Sequence, residues 1–84
     1  MKRTHTREPL PIGDMIRRTM YAKGLSVEEF ADKLYVNRAN VYNIFRRYTI
    51  STDLLLRISV ILETDFFRYY SSEYSRQKDN GNEA

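Results

Sequence analysis

"SVEEFADKLYVNRANVYNIF", residues 26–45, contains two helix starts separated by a very short connection. Ser26 is followed three residues later by Glu29, which is the pattern of a capping box: each side chain accepts a hydrogen bond from the other residue's backbone N–H. Asn37 begins the second helix in a similar way, as a side-chain N-cap. Only "YVN", residues 35–37, lies between the two helices, so the chain must turn sharply there.

The flanking sequence predicts further helices of similar length. Ser51 is a third N-cap, and apolar residues stand at the two positions around each cap that form a hydrophobic staple. The staple pairs are Leu25 with Phe30, Val36 with Val41, and Ile50 with Leu55. Pro11 suits a first helical turn and Gly24 a helix end. The predicted helices cover about residues 12–23, 27–34, 38–47 and 52–63, followed by a short fifth helix through "FFRYY" at residues 66–70.

No alternating strand pattern is present in the sequence, so the expected fold class is all-α: a compact bundle of five short helices. At 84 residues the chain has the length of one small domain. Its two ends are polar and have few apolar anchors. We therefore expect a flexible N-terminal arm at residues 1–9, a folded domain at residues 10–71 and a disordered polar tail at residues 72–84.

The composition argues against metal sites and catalysis. The chain has no cysteine, and its single histidine, His5, lies among polar residues near the N-terminus. Thiolate ligands are therefore lacking, and one imidazole cannot by itself form a His-rich zinc site or a Ser-His-Asp triad. The acidic residues Glu28, Glu29 and Asp32 are explained by the capping box and a solvated helix face. We expect no catalytic residue, no bound metal and no cofactor, and hence no enzyme.

The sequence also lacks a membrane-spanning pattern. Its longest apolar run, "LLLRISVIL" at residues 54–62, is interrupted by Arg57 and is far shorter than the ~20 residues that cross a bilayer. The basic residues near the start lead into no continuous apolar stretch, so no signal peptide is expected. These features predict a soluble cytoplasmic protein without a membrane contact.

The predicted helix at residues 38–47 has two distinct faces when its residues are placed about 100° apart. The apolar face, which we expect to pack on the core, contains Val41, Ile44, Phe45 and Tyr48. The other face contains Arg38, Ala39, Tyr42, Asn43, Arg46 and Arg47, with no acidic residue. A guanidinium matches the edge of guanine, a carboxamide matches adenine, and a small methyl leaves room for thymine. This face therefore suits a helix in the major groove of DNA.

A solvated polar face is the alternative interpretation, because exposed helix faces are ordinarily polar. The formal net charge is only +3, so the distribution of basic residues matters more than their number. The context favours DNA binding. A short capped helix, a three-residue turn and a second helix with this face form a helix-turn-helix arrangement.

Residues 26–45 resemble the helix-turn-helix of the Cro and phage-repressor type, the XRE family. Four positions carry the likeness: Ala31 at the close helix–helix contact, Val36 in the turn, and Val41 and Ile44 as buried residues of the second helix. The likeness continues into "LLLRISVILETDFF" and covers about residues 12–68. It implies a lambda-repressor-like domain that binds double-stranded DNA sequence-specifically and regulates transcription, with helix 38–47 as the recognition helix.

The resemblance also implies roles for single residues. The base-reading positions fall on Arg38, Ala39 and Asn43, with Tyr42 and Arg46 as further candidates. Tyr35 replaces the usual turn glycine of the family, so the turn must either accept a left-handed backbone or adopt another geometry. Val27 replaces a polar residue that contacts phosphate in many members. We therefore expect phosphate contacts from Arg47, Thr49 or Arg17.

The predicted fourth helix is apolar on more than one side. Its core stripe is formed by Leu55, Ile58 and Leu62, and the residues that widen the stripe are Leu54, Leu56, Val60 and Ile61. A helix that is apolar nearly all round is either fully buried or covered by a partner. We expect a homodimer contact at Val60, Ile61 and Phe67, since a two-fold protein matches a palindromic site. The alternative function is a protein-interaction module, such as an antitoxin or a phage-derived adaptor, that docks through this helix.

Overall fold

Five α-helices account for most of residues 10–82, the part of the chain that the computed structural model describes. They are α1 (Ile12–Ala22), α2 (Val27–Leu34), α3 (Arg38–Phe45), α4 (Thr52–Leu62) and α5 (Phe67–Asn82). No strand occurs within residues 10–82. The prediction of an all-α bundle with five helices is confirmed. The predicted arm at residues 1–9 lies outside the described residues, as do residues 83 and 84.

The three predicted N-caps are confirmed. Ser26 Oγ accepts a hydrogen bond from the Glu29 backbone N–H at 3.0 Å, and Glu29 Oε1 accepts one from the Ser26 backbone N–H at 2.8 Å. Asn37 Oδ1 accepts from the backbone N–H three residues on at 2.9 Å, and Ser51 Oγ does the same at 3.1 Å. Each cap satisfies one of the backbone donors that the first helical turn leaves unpaired. The starts of α2, α3 and α4 are thus set by neighbouring residues.

One hydrophobic core joins the bundle. Its buried apolar residues are Ile12, Ile16, Met20, Val27, Phe30, Ala31, Leu34, Val41, Ile44, Leu55, Ile58, Leu62 and Phe66. The first residues of the predicted staples, Leu25, Val36 and Ile50, are partly buried and pack against this core. The principal helix pairs are α1 with α3, α2 with α3, α2 with α4 and α1 with α4. Since α3 packs on two helices, one side of it is buried and the other faces outward.

The turn between α2 and α3 keeps a left-handed backbone without a glycine. Tyr35 has φ 62° and ψ 42°, and its side chain is 90% exposed. The Val36 backbone N–H donates to the Ala31 carbonyl oxygen at 3.0 Å and closes the end of α2. Of the two possibilities that the sequence left open, the turn therefore adopts the left-handed backbone at Tyr35. Tyr35 takes the left-handed conformation with no packing around its ring to compensate the strain.

Arg57 interrupts the apolar run of α4 for a structural reason. Its Nη2 donates to the carbonyl oxygen of Leu34, the last residue of α2, at 2.5 Å. Carbonyls in the last turn of a helix have no partner within the helix, and a cation at that end also interacts favourably with the helix dipole. Arg57 therefore links α4 to the end of α2, next to the turn that leads into α3.

The start of α1 lies against the end of α3. The Gly13 backbone N–H donates to the Arg47 carbonyl oxygen at 2.9 Å, and a Cβ at Gly13 would lie 2.2 Å from the Ile44 carbonyl oxygen. Only glycine permits this approach. The N–H groups of Arg46 and Arg47 bond to carbonyls three residues back, which tightens the chain. For this reason α3 ends at Phe45, two residues earlier than predicted.

The structure corrects the prediction for the C-terminal residues. The predicted folded domain ends at residue 71 and a disordered tail begins at residue 72, whereas α5 continues to Asn82. Within α5 the Glu73 carboxylate accepts hydrogen bonds from Arg76 and from Gln77 Nε2, the latter at 2.8 Å. The hydrogen bond from Arg76 is the main cause that lowers the Glu73 pKa. Such pairs, three and four residues apart, support the part of α5 beyond Phe67, which packs against the core.

Candidate nucleic-acid interface

The outward face of α3 follows from the residues that its other side buries. Val41 and Ile44 are buried, and Phe45 is partly buried against the core. The side chains of the predicted base-reading residues are all exposed: Arg38, Ala39, Tyr42, Asn43 and Arg46. Tyr48 departs from the prediction, because it lies beyond the end of α3 and is exposed instead of packed on the core.

Arg38 occupies the first position of α3, directly after the Asn37 cap. Its Nη1 lies 3.2 Å from Glu28 Oε2 of α2. Ala39 follows it on the same exposed surface. The N-terminal half of the face thus contains one guanidinium with a carboxylate partner and one small methyl group.

The C-terminal half of the face contains two separate side-chain contacts. Arg46 Nη1 donates to Asn43 Oδ1 at 3.3 Å. The Tyr42 ring meets the Phe45 ring edge-on, with 6.1 Å between the ring centroids. Because Phe45 packs against the core, the edge-on contact anchors the Tyr42 ring while the side chain stays exposed. The structure therefore brings two of the predicted residues, Asn43 and Arg46, into direct contact, with Arg46 at the C-cap of α3, while Tyr42 contacts Phe45.

The predicted phosphate-binding residues differ in their availability. Arg47 and Thr49 are exposed in the segment after α3. Arg17 is partly buried, and its Nη2 lies 2.7 Å from Asp14 Oδ1, while Arg18 Nε lies 2.9 Å from Asp14 Oδ2. The hydrogen bond from Arg17 is the main cause that lowers the pKa of Asp14. Arg17 is therefore already paired with a carboxylate, in contrast to the other two candidates.

The predicted dimer residues are exposed to different degrees. Val60 is 69% exposed, and Leu56, one turn earlier in α4, is 55% exposed. Ile61 and Phe67 are partly buried and pack against the core. The exposed apolar surface of α4 is thus centred on Leu56 and Val60, and the other two residues mainly support the bundle.

Two residues that contact α3 or the segment after it were not identified from the sequence. Glu28 was explained by the solvated start of α2, although its carboxylate contacts Arg38. An arginine in the first turn of a helix without a nearby acid could have pointed to an outside partner, because it opposes the helix dipole. Gly13 was not singled out, although a glycine inside a helix disfavours it relative to alanine and so indicates a close approach.

Within residues 10–82 no group of three or more His, Cys, Asp or Glu side chains is arranged to hold a metal ion. In the same part of the chain, no helix is long and apolar enough to cross a bilayer. Comparison with models of known protein families, with curated proteins and with solved structures finds no match to this chain. Support for a function therefore comes from the side chains of α3 and their surroundings.

Proposed function

We propose that the protein binds double-stranded DNA sequence-specifically through α3 and regulates transcription in the manner of the XRE family that it resembles. One observation carries this proposal. The exposed face of α3 and its C-cap includes Arg38, Ala39, Tyr42, Asn43 and Arg46, while the other side of the helix is buried in the bundle. The helix itself has no carboxylate. A major groove admits a helix with such a face, since its donors and small methyl match base edges.

The individual side chains suit different base edges. The guanidinium of Arg38 can donate two parallel hydrogen bonds to O6 and N7 of guanine. The Asn43 carboxamide can pair with N6 and N7 of adenine, and its oxygen already accepts from Arg46, which restricts the amide's orientation. Ala39 leaves room for a thymine methyl. The face therefore combines donors, an acceptor and an apolar group within one helix.

Phosphate contacts would set the position of α3 on the duplex. Arg47 and Thr49 follow α3 directly and are exposed, so they can reach the backbone beside the groove. Arg17 is already paired with Asp14, so a phosphate contact would use the guanidinium donors that this pair leaves free. Such contacts supply affinity that does not depend on sequence.

The proposed regulator acts in the cytoplasm as a homodimer, by occupying DNA and not by catalysis, and it needs no cofactor. The exposed strip of Leu56 and Val60, with Ile61 and Phe67 beside it, is the proposed dimer contact. A two-fold dimer presents two copies of α3 to a palindromic site.

The same apolar strip favours a second candidate function. Leu56 and Val60 stand four residues apart and form one exposed ridge of α4, which a helix of another protein could cover. In this alternative the protein is a docking module of the antitoxin or adaptor kind. Its contact would depend on apolar area and so respond little to salt.

Selection of bound duplexes from a random pool tests the proposed function. The expected result is a short motif with two-fold symmetry, bound with an affinity that falls steeply as salt rises, because cationic side chains release counterions from DNA. The double variant Arg38→Ala/Asn43→Ala is the matched control and should enrich a motif without the preference at the two corresponding base pairs. Absence of binding to any duplex at low salt contradicts the proposal and leaves the docking module.

A further inference from the structure

Arg38 occupies a position that its own helix disfavours. The unpaired N–H groups at a helix N-terminus make a partial positive charge, so a cation in the first turn is unfavourable. The first turn of α3 contains no acidic residue that offsets this arginine. Residues that oppose their local structure are expected at functional positions.

The offsetting charge comes from a different helix. Glu28 precedes Arg38 by ten residues, and the turn at Tyr35 brings the two side chains to 3.2 Å, from Nη1 to Oε2. The side chains remain 64% and 72% exposed for Arg38 and Glu28, respectively. Because both side chains are so exposed, this ion pair adds little to the free energy of unfolding. Its main consequence is that one orientation of the guanidinium is favoured at the edge of the α3 face.

We propose, on the basis of the DNA-binding function above, that Glu28 is a positioning residue that directs Arg38 to a guanine edge. The guanidinium has five N–H donors in one plane, and the contact with Glu28 uses Nη1. Further donors remain for the O6 and N7 acceptors of guanine. The carboxylate thus restricts Arg38 without consuming its capacity to bind a base.

The charge of Glu28 has a second effect on selectivity. A lone arginine is attracted to any phosphate, and this attraction is independent of sequence. The Glu28 carboxylate neutralises Arg38 and repels an approaching phosphate, so the pair adds little to non-specific binding. The Arg38 guanidinium can still donate hydrogen bonds to guanine, because these bonds do not require the ion pair to have a net positive charge. Glu28 therefore shifts the contribution of Arg38 from general affinity to discrimination between base pairs.

Asp32 offers a matched control for this proposal. It follows Glu28 by four residues on α2, so it lies on the same side of that helix. It is also exposed and carries the same charge, but its side chain forms no ion pair within the described residues. Replacing either acid by its amide removes one negative charge near the proposed DNA surface. Only the replacement of Glu28 also removes the partner of Arg38.

The experiment compares Glu28→Gln, Asp32→Asn and Arg38→Ala on duplexes that carry the wild-type motif, on its single base-pair substitutions and on an unrelated duplex. The base pair at which Arg38→Ala loses discrimination identifies the Arg38 contact. Glu28→Gln should lower discrimination at that pair about 3- to 10-fold, a part of what a full bidentate contact supplies. It should also bind the unrelated duplex more tightly, with a salt slope steeper by about one. Asp32→Asn should leave discrimination at that pair unchanged.

Equal discrimination by Glu28→Gln and Asp32→Asn at the Arg38 base pair would overturn the inference while leaving DNA binding intact. Absence of duplex binding by the wild-type protein would instead contradict the proposed function. In the double variant Glu28→Gln/Arg38→Ala, discrimination should equal that of Arg38→Ala alone, because Glu28 acts through that side chain. Thermal unfolding of each variant shows whether the fold is retained.

Discussion

At the scale of single residues, Arg38 and Asn43 differ from Arg47 in what they can contact. The first two belong to the exposed face of α3, and Arg47 lies after the end of the helix. Its backbone carbonyl accepts the Gly13 N–H, which holds this segment against α1. A side chain on the face of a groove-bound helix meets base edges, whereas one beside its end meets the sugar-phosphate backbone.

Arg38→Ala and Asn43→Ala are each expected to relax the preference at one base pair and to cost about 1–3 kcal/mol of binding free energy on the selected motif. Arg47→Ala is expected to weaken binding to all sequences alike and to reduce the salt slope by about one. Competition binding with every single base-pair substitution of the motif measures both effects. A uniform loss from all three variants would remove the base-reading assignment.

At the scale of structural elements, the turn between α2 and α3 contains strain that can be measured. A left-handed backbone costs an L-residue about 1–2 kcal/mol, and glycine avoids this cost but loses about 0.5–1 kcal/mol through its freedom in the unfolded chain. The Tyr35 side chain is almost fully exposed, so its removal sacrifices little packing. The balance of these terms favours glycine slightly.

Tyr35→Gly is therefore expected to raise the free energy of unfolding by about 0–1 kcal/mol. Tyr35→Val should lower it by about 1 kcal/mol or more, because a β-branched residue tolerates the left-handed region poorly. Chemical denaturation with a common denaturant slope gives both values. Destabilisation of similar size by glycine and valine would show that the tyrosine ring, and not the backbone conformation, matters at this turn.

At the scale of the whole molecule, the exposed strip of α4 is the surface on which the dimer hypothesis rests. Leu56 and Val60 are the exposed apolar side chains of this helix, and α5 belongs to none of the principal helix pairs. Packing among α1–α4 therefore leaves Leu56 and Val60 exposed to solvent. A second copy of the chain would bury it and place two α3 helices on one duplex.

Val60→Glu is expected to shift the protein from dimer to monomer and to weaken binding to a palindromic motif more than binding to a half-site. The reason is that a carboxylate in an apolar contact loses its hydration without gaining a partner. Sedimentation analysis measures the assembly state. Thr52→Glu, also exposed on α4 but two helical turns away, is the control and should stay dimeric. A wild-type protein that sediments as a monomer at the concentrations that bind DNA contradicts the dimer hypothesis.

Local chemistry made several elements predictable from the sequence. The caps at Ser26, Asn37 and Ser51 were predictable because each hydrogen bond joins residues three apart in the chain. The exposed face of α3 was found because helical periodicity alone separates its two sides. The end of α5 was missed because the helix is mainly polar from residue 71 onward, and its support there comes from pairs around Glu73.

The sequence by itself therefore determined that five helices are present, the three capped starts and the side of α3 that faces outward, since all of these depend on residues within about one helical turn. Only the tertiary structure decided where α3 ends, how Arg57 holds the end of α2 and which carboxylate meets Arg38. These contacts join residues far apart in the chain, so they depend on how the helices pack against one another. The partner of Arg38 belongs to this second group, because only the folded turn at Tyr35 brings Glu28 beside it.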